Sequence, residues 1–249
     1  MTTTHHPLAD RTAADDVGTV LKDVVIVVFI AAGAAVTGCA PLPTMAPLEA
    51  AYGEGGAHDV VIDTIAARSG QPFRLYRPEL TSTSGALPVV VWGSDIDDDA
   101  AVTADVHAHL ASHGFVVVDS FGADDGSGTS IAAGIAAIVG ESEREGSPLR
   151  GLLDVDHVGV AGVGMGAAGA LNAQTDHPEG AHIATIVAMS LPAPHWCSEA
   201  QTYEPAALTS SLLLLGSSGD QVRSPWFANQ TTLRALPIDT AGAMATTQN

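Results

Sequence analysis

Residues Val158 to Ala173 read VGVAGVGMGAAGALNA: an apolar strand, a glycine-dense tight turn and a small-residue helix. Strand, sharp turn and helix are what a nucleophile elbow requires, because G-x-S-x-G lifts its serine onto a strained turn while flanking glycines let backbones pass closely. The framing glycines here are Gly162 and Gly166. Between them, at the nucleophile's place, stands Gly164, which has no side chain with which to attack a carbonyl.

The same stretch admits two other readings. Gly164 to Gly169 has the G-x-G-x-x-G spacing of a dinucleotide-binding turn, which also wants an acidic residue about 20 positions on, at the end of the next strand. The next apolar strand, Ile183 to Leu191, ends in Ser190-Leu191-Pro192. The third reading is that these glycines only let a helix pack close to a sheet.

The chain has 249 residues, 46% of them hydrophobic, enough to bury a sizeable core as one domain. Nine basic residues stand against 28 acidic ones, a formal charge of −19 that repels nucleic-acid backbones and anionic headgroups. Nucleic acid is therefore not an expected partner. Lys22 is the sole lysine.

Two cysteines do not make a disulfide framework, and Cys39 has its own context. Val24 to Val36 is an apolar run of signal-peptide length, too short to span a bilayer, followed by the small residues Thr37 and Gly38. Val36-Thr37-Gly38-Cys39 resembles the lipobox of bacterial lipoproteins, which implies residues 1–38 as a signal peptide, a lipid anchor at Cys39 and an exported, cell-surface or secreted protein. Asp10, Asp15, Asp16 and Asp23 are unusual in such a leader, whose n-region is normally positive. Residues 39–57, rich in proline, glycine and alanine, read as a tether. Residues 58–249 read as the folded domain.

Within that domain, His58 to Ile65 and Pro72 to Pro78 read as an antiparallel hairpin at a sheet edge. Leu87 to Gly93 and Phe115 to Asp119 are continuous apolar strands of the kind buried on both faces. Between them, Ala100 to His113 has helical spacing through Val102, Val106 and Leu110, and Gly114 closes it. Ile131 to Val139 is helical, with Ser127 or Thr129 as N-cap. Ile183 to Leu191 and Ser211 to Leu215 read as strands, and Trp226 to Leu236 as a helix. Alternating strands and helices give an α/β architecture with a mostly parallel central sheet flanked by helices.

Pro88-Val-Val-Val-Trp-Gly-Ser94, Leu110-Ala-Ser-His-Gly-Phe-Val-Val117, the stretch from Asp156 to Gly166 and Leu212 to Asp220 together resemble the α/β-hydrolase family, nearest its cutinase-like polyester hydrolases, dienelactone hydrolases and chlorophyllase-like esterases. The resemblance runs from about residue 58 to 244. It implies the α/β-hydrolase fold, with that fold's last helix lacking, and carboxylic ester chemistry. It places the triad acid at Asp220, against the alternative that Ser218-Gly219-Asp220 is an ordinary turn. It puts the oxyanion donors at the N–H of Met165 and near Ser94 or Asp95. Carboxylates at Asp95, Asp97, Asp98 and Asp99 would oppose the negative charge that develops there. Trp196 resembles a substrate-lining tryptophan, or is simply packing.

Two departures decide the functional expectation. Gly164 replaces the serine, and no histidine follows His195, although the fold's triad runs Ser, Asp, His. Ile238 to Met244 resembles the segment ending in Gly-x-x-His, with Met244 at the base's place; otherwise the base would lie past Asn249. A thioether cannot relay a proton. The expectation is an α/β-hydrolase scaffold with impaired or absent catalysis that keeps affinity for a hydrophobic ester or acyl ligand. Its alternatives are an active esterase using Ser94, Ser190 or Cys197, and dinucleotide binding through Gly164 to Gly169. His195 and Cys197 are spaced for a loop pair that need not touch. His109 and His113 share a helix face but lack further ligands for a metal. Asp97 to Asp99 read as the acidic start of a helix rather than a calcium loop. No cofactor or metal is called for, and the oligomeric state is not legible.

Overall fold

The computed structural model describes residues 51–81, 86–96, 100–120, 125–220 and 222–247. Val24 to Val36, Cys39 and Asp97 to Asp99 lie outside the described residues.

Eight strands form one sheet in the order β1-β2-β4-β3-β5-β6-β7-β8. They are β1 (Val60–Ala66), β2 (Pro72–Pro78), β3 (Leu87–Gly93), β4 (Val116–Asp119), β5 (Leu153–Val163), β6 (Ile183–Met189), β7 (Ser211–Ser217) and β8 (Gly242–Thr247). β1 and β2 pair antiparallel, and β2 joins β4 antiparallel. From β4 onward every pairing is parallel. Among the described residues four helices flank the sheet: α1 (Ala100–Ser112), α2 (Thr129–Glu143), α3 (Met165–Asp176) and α4 (Trp226–Ala235). The mostly parallel α/β sheet expected from the sequence is the sheet observed.

Strand alternation divides the core between the two faces. Val89, Val91, Val116 and Val118 join the cluster built with Ile131, Ile135 and Ile138 of α2 and Leu171 of α3. Val90, Trp92 and Val117 face the opposite way, against Val106 and Leu110 of α1. Side chains buried this fully stabilise the fold by roughly 1.5–3 kcal/mol each, which is why the continuous valine runs behave as central strands.

The structure corrects three local readings. Gly128 rather than Ser127 or Thr129 is the N-cap of α2, at φ 79°, and it makes no side-chain cap bond. A Cβ there would meet the backbone of Ala173, so close packing of α3 demands glycine. Ser127 still contributes, accepting from the Thr129 N–H at 3.3 Å. Met244, given the base's place by the resemblance, is part of a strand: it lies within β8, opposite Leu214 of β7, and packs on the core. Strand β8 escaped the periodicity argument because Gly-Ala-Met-Ala-Thr-Thr offers no apolar run. Finally, the end of the stretch read as a tether is docked. Gly56 N–H donates to Ser112 Oγ at 2.8 Å, and His109 and His113 of α1 turn Nε2 toward the carbonyls of Tyr52 and Glu54 at 2.8 and 3.1 Å.

Among the described residues no helix is long and apolar enough to cross a membrane.

Candidate functional site

The carboxyl ends of the parallel strands converge where β5 turns into α3, and the glycines fix how closely. A Cβ on Gly162 would overlap the backbone of Gly166, and one on Gly166 would overlap the carbonyl of Gly93 at the end of β3. The helix therefore begins in direct backbone contact with two strands. That contact is the packing reason for the glycine spacing.

Gly164 itself sits at φ 56° and ψ −121°, with its N–H donating to Met189 O at 2.9 Å and its carbonyl accepting from Ala167 N–H at 3.0 Å. This left-handed conformation is the strained strand-to-helix turn of an elbow, held here by the one residue that adopts it without a Cβ penalty. The turn is formed and carries no side chain.

What fills the space is Asp95, from the loop after β3. A Cβ built on Gly164 would overlap the Asp95 carboxylate. Its Oδ1 accepts from the Met165 N–H at 3.0 Å and from the Ile96 N–H at 3.0 Å. Arg223 closes the other side, with Nη2 donating to Oδ1 at 3.2 Å and Nη1 lying 3.0 Å from Oδ2. Two amides, one at the N-terminus of α3, and a forked guanidinium thus converge on one carboxylate. The N–H expected as the first oxyanion donor, that of Met165, already holds an anion belonging to the protein.

Asp220, the candidate acid, follows β7. Its Oδ1 accepts from the N–H groups of Val222 and Arg223 at 3.1 and 3.0 Å, the pattern of an Asx turn. Those bonds shape the loop that presents Arg223. Trp196, on the short 3-10 turn Pro194–Trp196, donates its indole N–H to Val222 O at 2.9 Å. Ala193 N–H donates to Arg223 O at 2.7 Å, so the loops after β6 and β7 are joined at two points. Ile96, Trp196, Val222, Trp226 and Phe227 are exposed large apolar side chains on these same segments. Nearby, Pro194, His195, Tyr203 and Phe227 line a cavity of about 330 Å³ between this loop and α4.

A family model described as PETase, PET hydrolase-like, matches residues 31–231. The chain belongs to the PET hydrolase-like family. Among solved structures, a protein of Klebsiella pneumoniae subsp. pneumoniae MGH 78578 assigned as a dienelactone hydrolase shares the fold at 15% identity and a TM-score of 0.57. That similarity covers 76% of this chain and 85% of the other. No curated protein matches.

In this PET hydrolase-like chain the other residues considered for acyl transfer stand as follows. With Met244 inside β8, a base on the loop after that strand would fall beyond Thr247, outside the described residues. Ser190 directly follows β6 at φ 49°, the single non-glycine residue with positive φ among the described residues. Among the described residues no hydrogen bond joins it to a histidine. Cys197 is partly buried, and that burial pushes its thiol pKa up, away from the reactive thiolate. His195 pairs instead with the ring of Trp196, centroids 5.5 Å apart. His109 and His113 spend their Nε2 atoms on the 51–58 segment, and the described residues contain no group of three or more metal-ligating side chains.

Ile96 and Arg223 are the site residues that the sequence reading missed. Ile96 holds Asp95 through its backbone N–H, which no side-chain pattern reveals. Arg223 had a signal: it and Arg234 are the only cations after Arg150 in a strongly acidic chain, and it lies three residues past the expected acid.

Proposed function

We propose that this chain is an exported, surface-tethered PET hydrolase-like protein that does not perform serine-type ester hydrolysis and uses the fold as a binding scaffold for a hydrophobic ester or acyl ligand. The observation that carries this reading is the Asp95 carboxylate in the space of the absent side chain at Gly164.

Removing a serine nucleophile ordinarily leaves weak residual catalysis, because the oxyanion donors still stabilise the developing negative charge. Here the Met165 N–H donates to a carboxylate, and a second negative charge growing beside Asp95 is opposed rather than stabilised. Both the attacking atom and the electrostatic help are thus withdrawn. The exposed apolar side chains around the loops after β3, β6 and β7 support the binding half of the proposal, since such residues on neighbouring loops suit an uncharged, hydrophobic partner.

Export and anchoring rest on the Val24 to Val36 run and on Cys39. Radiolabelled palmitate incorporated by the wild-type chain and not by Cys39→Ala supports the anchor; equal labelling of both contradicts it. For the catalytic half, the purified chain is assayed with p-nitrophenyl acetate and p-nitrophenyl butyrate. Turnover at the rate of buffer supports the proposal, and saturable hydrolysis overturns it.

A further inference from the structure

The segment before β1 is clamped to α1, and the place of the clamp decides from which end of the molecule the preceding chain departs. His58 N–H donates to Ser112 O at 3.0 Å and Gly56 N–H to Ser112 Oγ at 2.8 Å, both on the last residue of α1. Tyr52 meets the His113 ring edge-on at a centroid distance of 5.6 Å and packs on the cluster of Trp92, Val106 and Leu110. A Cβ on Gly56 would overlap the Ser112 carbonyl, so the two backbones touch.

The helix α1 leads from the end of β3 back to the start of β4, so its last turn lies where the parallel strands begin. Val60, the first residue of β1, is at that same end. It pairs with Pro78, the last residue of β2, whereas Arg74, near the start of β2, pairs with Asp119, the last residue of β4. Asp95, Gly164 and Asp220 lie at the opposite end, where β3, β5 and β7 finish. The seven residues of β3 alone put about 20 Å between the two ends.

We infer that residues 51–58 are an orienting clamp, which makes the chain depart behind the domain and keeps the Gly164 site facing away from the lipid surface that holds Cys39. This rests on the reading of Cys39 as an anchor and adds an orientation to it. Leash length is what gives the clamp its effect. Twelve residues lead from Cys39 to Ala51 (51 − 39) and span at most about 40 Å. A folded unit of this size has a radius of gyration of about 16 Å and is about 40 Å across, so the leash must be drawn taut before the site can turn onto the lipid. With the clamp released the leash runs to Val60, 21 residues (60 − 39) and up to about 70 Å, and the domain can turn over. The net charge of −19 supplies no attraction to anionic headgroups that would orient the domain instead.

The chain carries its own probes, because Trp92, Trp196 and Trp226, its three tryptophans, all stand at the site end of the sheet. In the full chain with Cys197→Ser, Cys39 is the only thiol and is coupled to a maleimide-headgroup lipid in phosphatidylcholine vesicles that contain dansyl-phosphatidylethanolamine. Energy transfer from tryptophan to dansyl should be weak in this parent, and about twofold or more stronger with Gly56→Val, which cannot seat on Ser112 and frees the longer leash. Ser112→Ala/His113→Ala, which removes two partners of the segment without adding bulk, should act in the same direction. Arg150→Trp, on the exposed loop before β5 at the clamp end, should raise transfer with the clamp intact. Hydrogen exchange at the His58 amide reports release of the clamp directly. Faster exchange at His58 with unchanged transfer, unchanged exchange in both clamp variants, or no added transfer from Arg150→Trp overturns the inference. Because the coupling is chemical, equal palmitate labelling of wild type and Cys39→Ala would defeat the anchor and leave the clamp standing; unchanged transfer would defeat the clamp and leave the anchor.

Discussion

The Asp95 carboxylate occupies the volume into which any side chain at Gly164 would have to grow. The two positions are 69 residues apart in sequence (164 − 95) and compete for one place in space. The relationship makes the substitutions at these positions interdependent.

Gly164→Ser should destabilise the protein by more than the roughly 1–3 kcal/mol of backbone strain expected at φ 56°, because the new side chain also meets Asp95. In the Asp95→Ala background the same change should cost only the strain. A double-mutant cycle by urea denaturation measures the difference, and a coupling of about 0.5 kcal/mol or more is expected. Additive effects would mean that the two groups do not share the space.

Arg223→Gln removes the guanidinium from a half-exposed ion pair. The expected loss is at most about 1 kcal/mol, or a few degrees in melting temperature for a chain of this size. The loss should shrink as sodium chloride is raised, because salt already screens the wild-type pair. A salt-independent loss would point to packing rather than charge.

His107 gives a prediction far from the elbow. It is fully buried, edge-on to Trp92 and Tyr76 at centroid distances of 4.8 and 5.2 Å. Asp119 Oδ2 lies 3.7 Å from Nδ1, and neither ring nitrogen has a hydrogen-bond partner among the described residues. Burial, reinforced by the positive charge of Arg74, lowers its pKa to about 3. The unfolded chain takes up a proton near pH 6.5 that the native state refuses, so stability is intact above pH 6.5 and falls as pH drops from there toward 3. Between pH 7 and pH 5 this one residue should remove about 2 kcal/mol, a figure that holds for any native pKa well below 5. His107→Phe, which keeps a ring between Trp92 and Tyr76, should be at least as stable at pH 7 and should lose that part of the acid slope. Identical slopes for the two proteins would refute the assignment.

The docked segment before β1 is testable by hydrogen exchange. Ser112 Oγ accepts from Gly56 N–H and donates to His109 O at 2.7 Å, so Ser112→Ala should speed exchange at Gly56 while the amides of β3 and β5 are unaffected. Unchanged exchange at Gly56 would mean that this bond does not hold the segment.

The sequence made some of these elements legible and hid others for physical reasons. Val89 to Val91 and Val116 to Val118 announce buried parallel strands because both faces of such strands need apolar residues, a local property. The elbow was legible because glycines at 162, 164 and 166 are needed where backbones touch. The partner of Gly164 was not, since only the folded chain brings Asp95 to Met165, 70 positions away, and to Arg223, 128 positions away. The acidic loop after β3 was legible as a source of negative charge near the start of α3. It did not signal that one of its carboxylates enters that site. Strand β8 and the place of Met244 were hidden because a small-residue strand at a sheet edge is specified by the open edge of β7 rather than by its own pattern.

The most direct measurement is intact-mass analysis of the purified wild-type chain after exposure to a fluorophosphonate, which phosphonylates any serine activated for acyl transfer. The account predicts an unchanged mass at saturating reagent. A stoichiometric adduct, mapped by peptide sequencing to any serine of the chain, would contradict it.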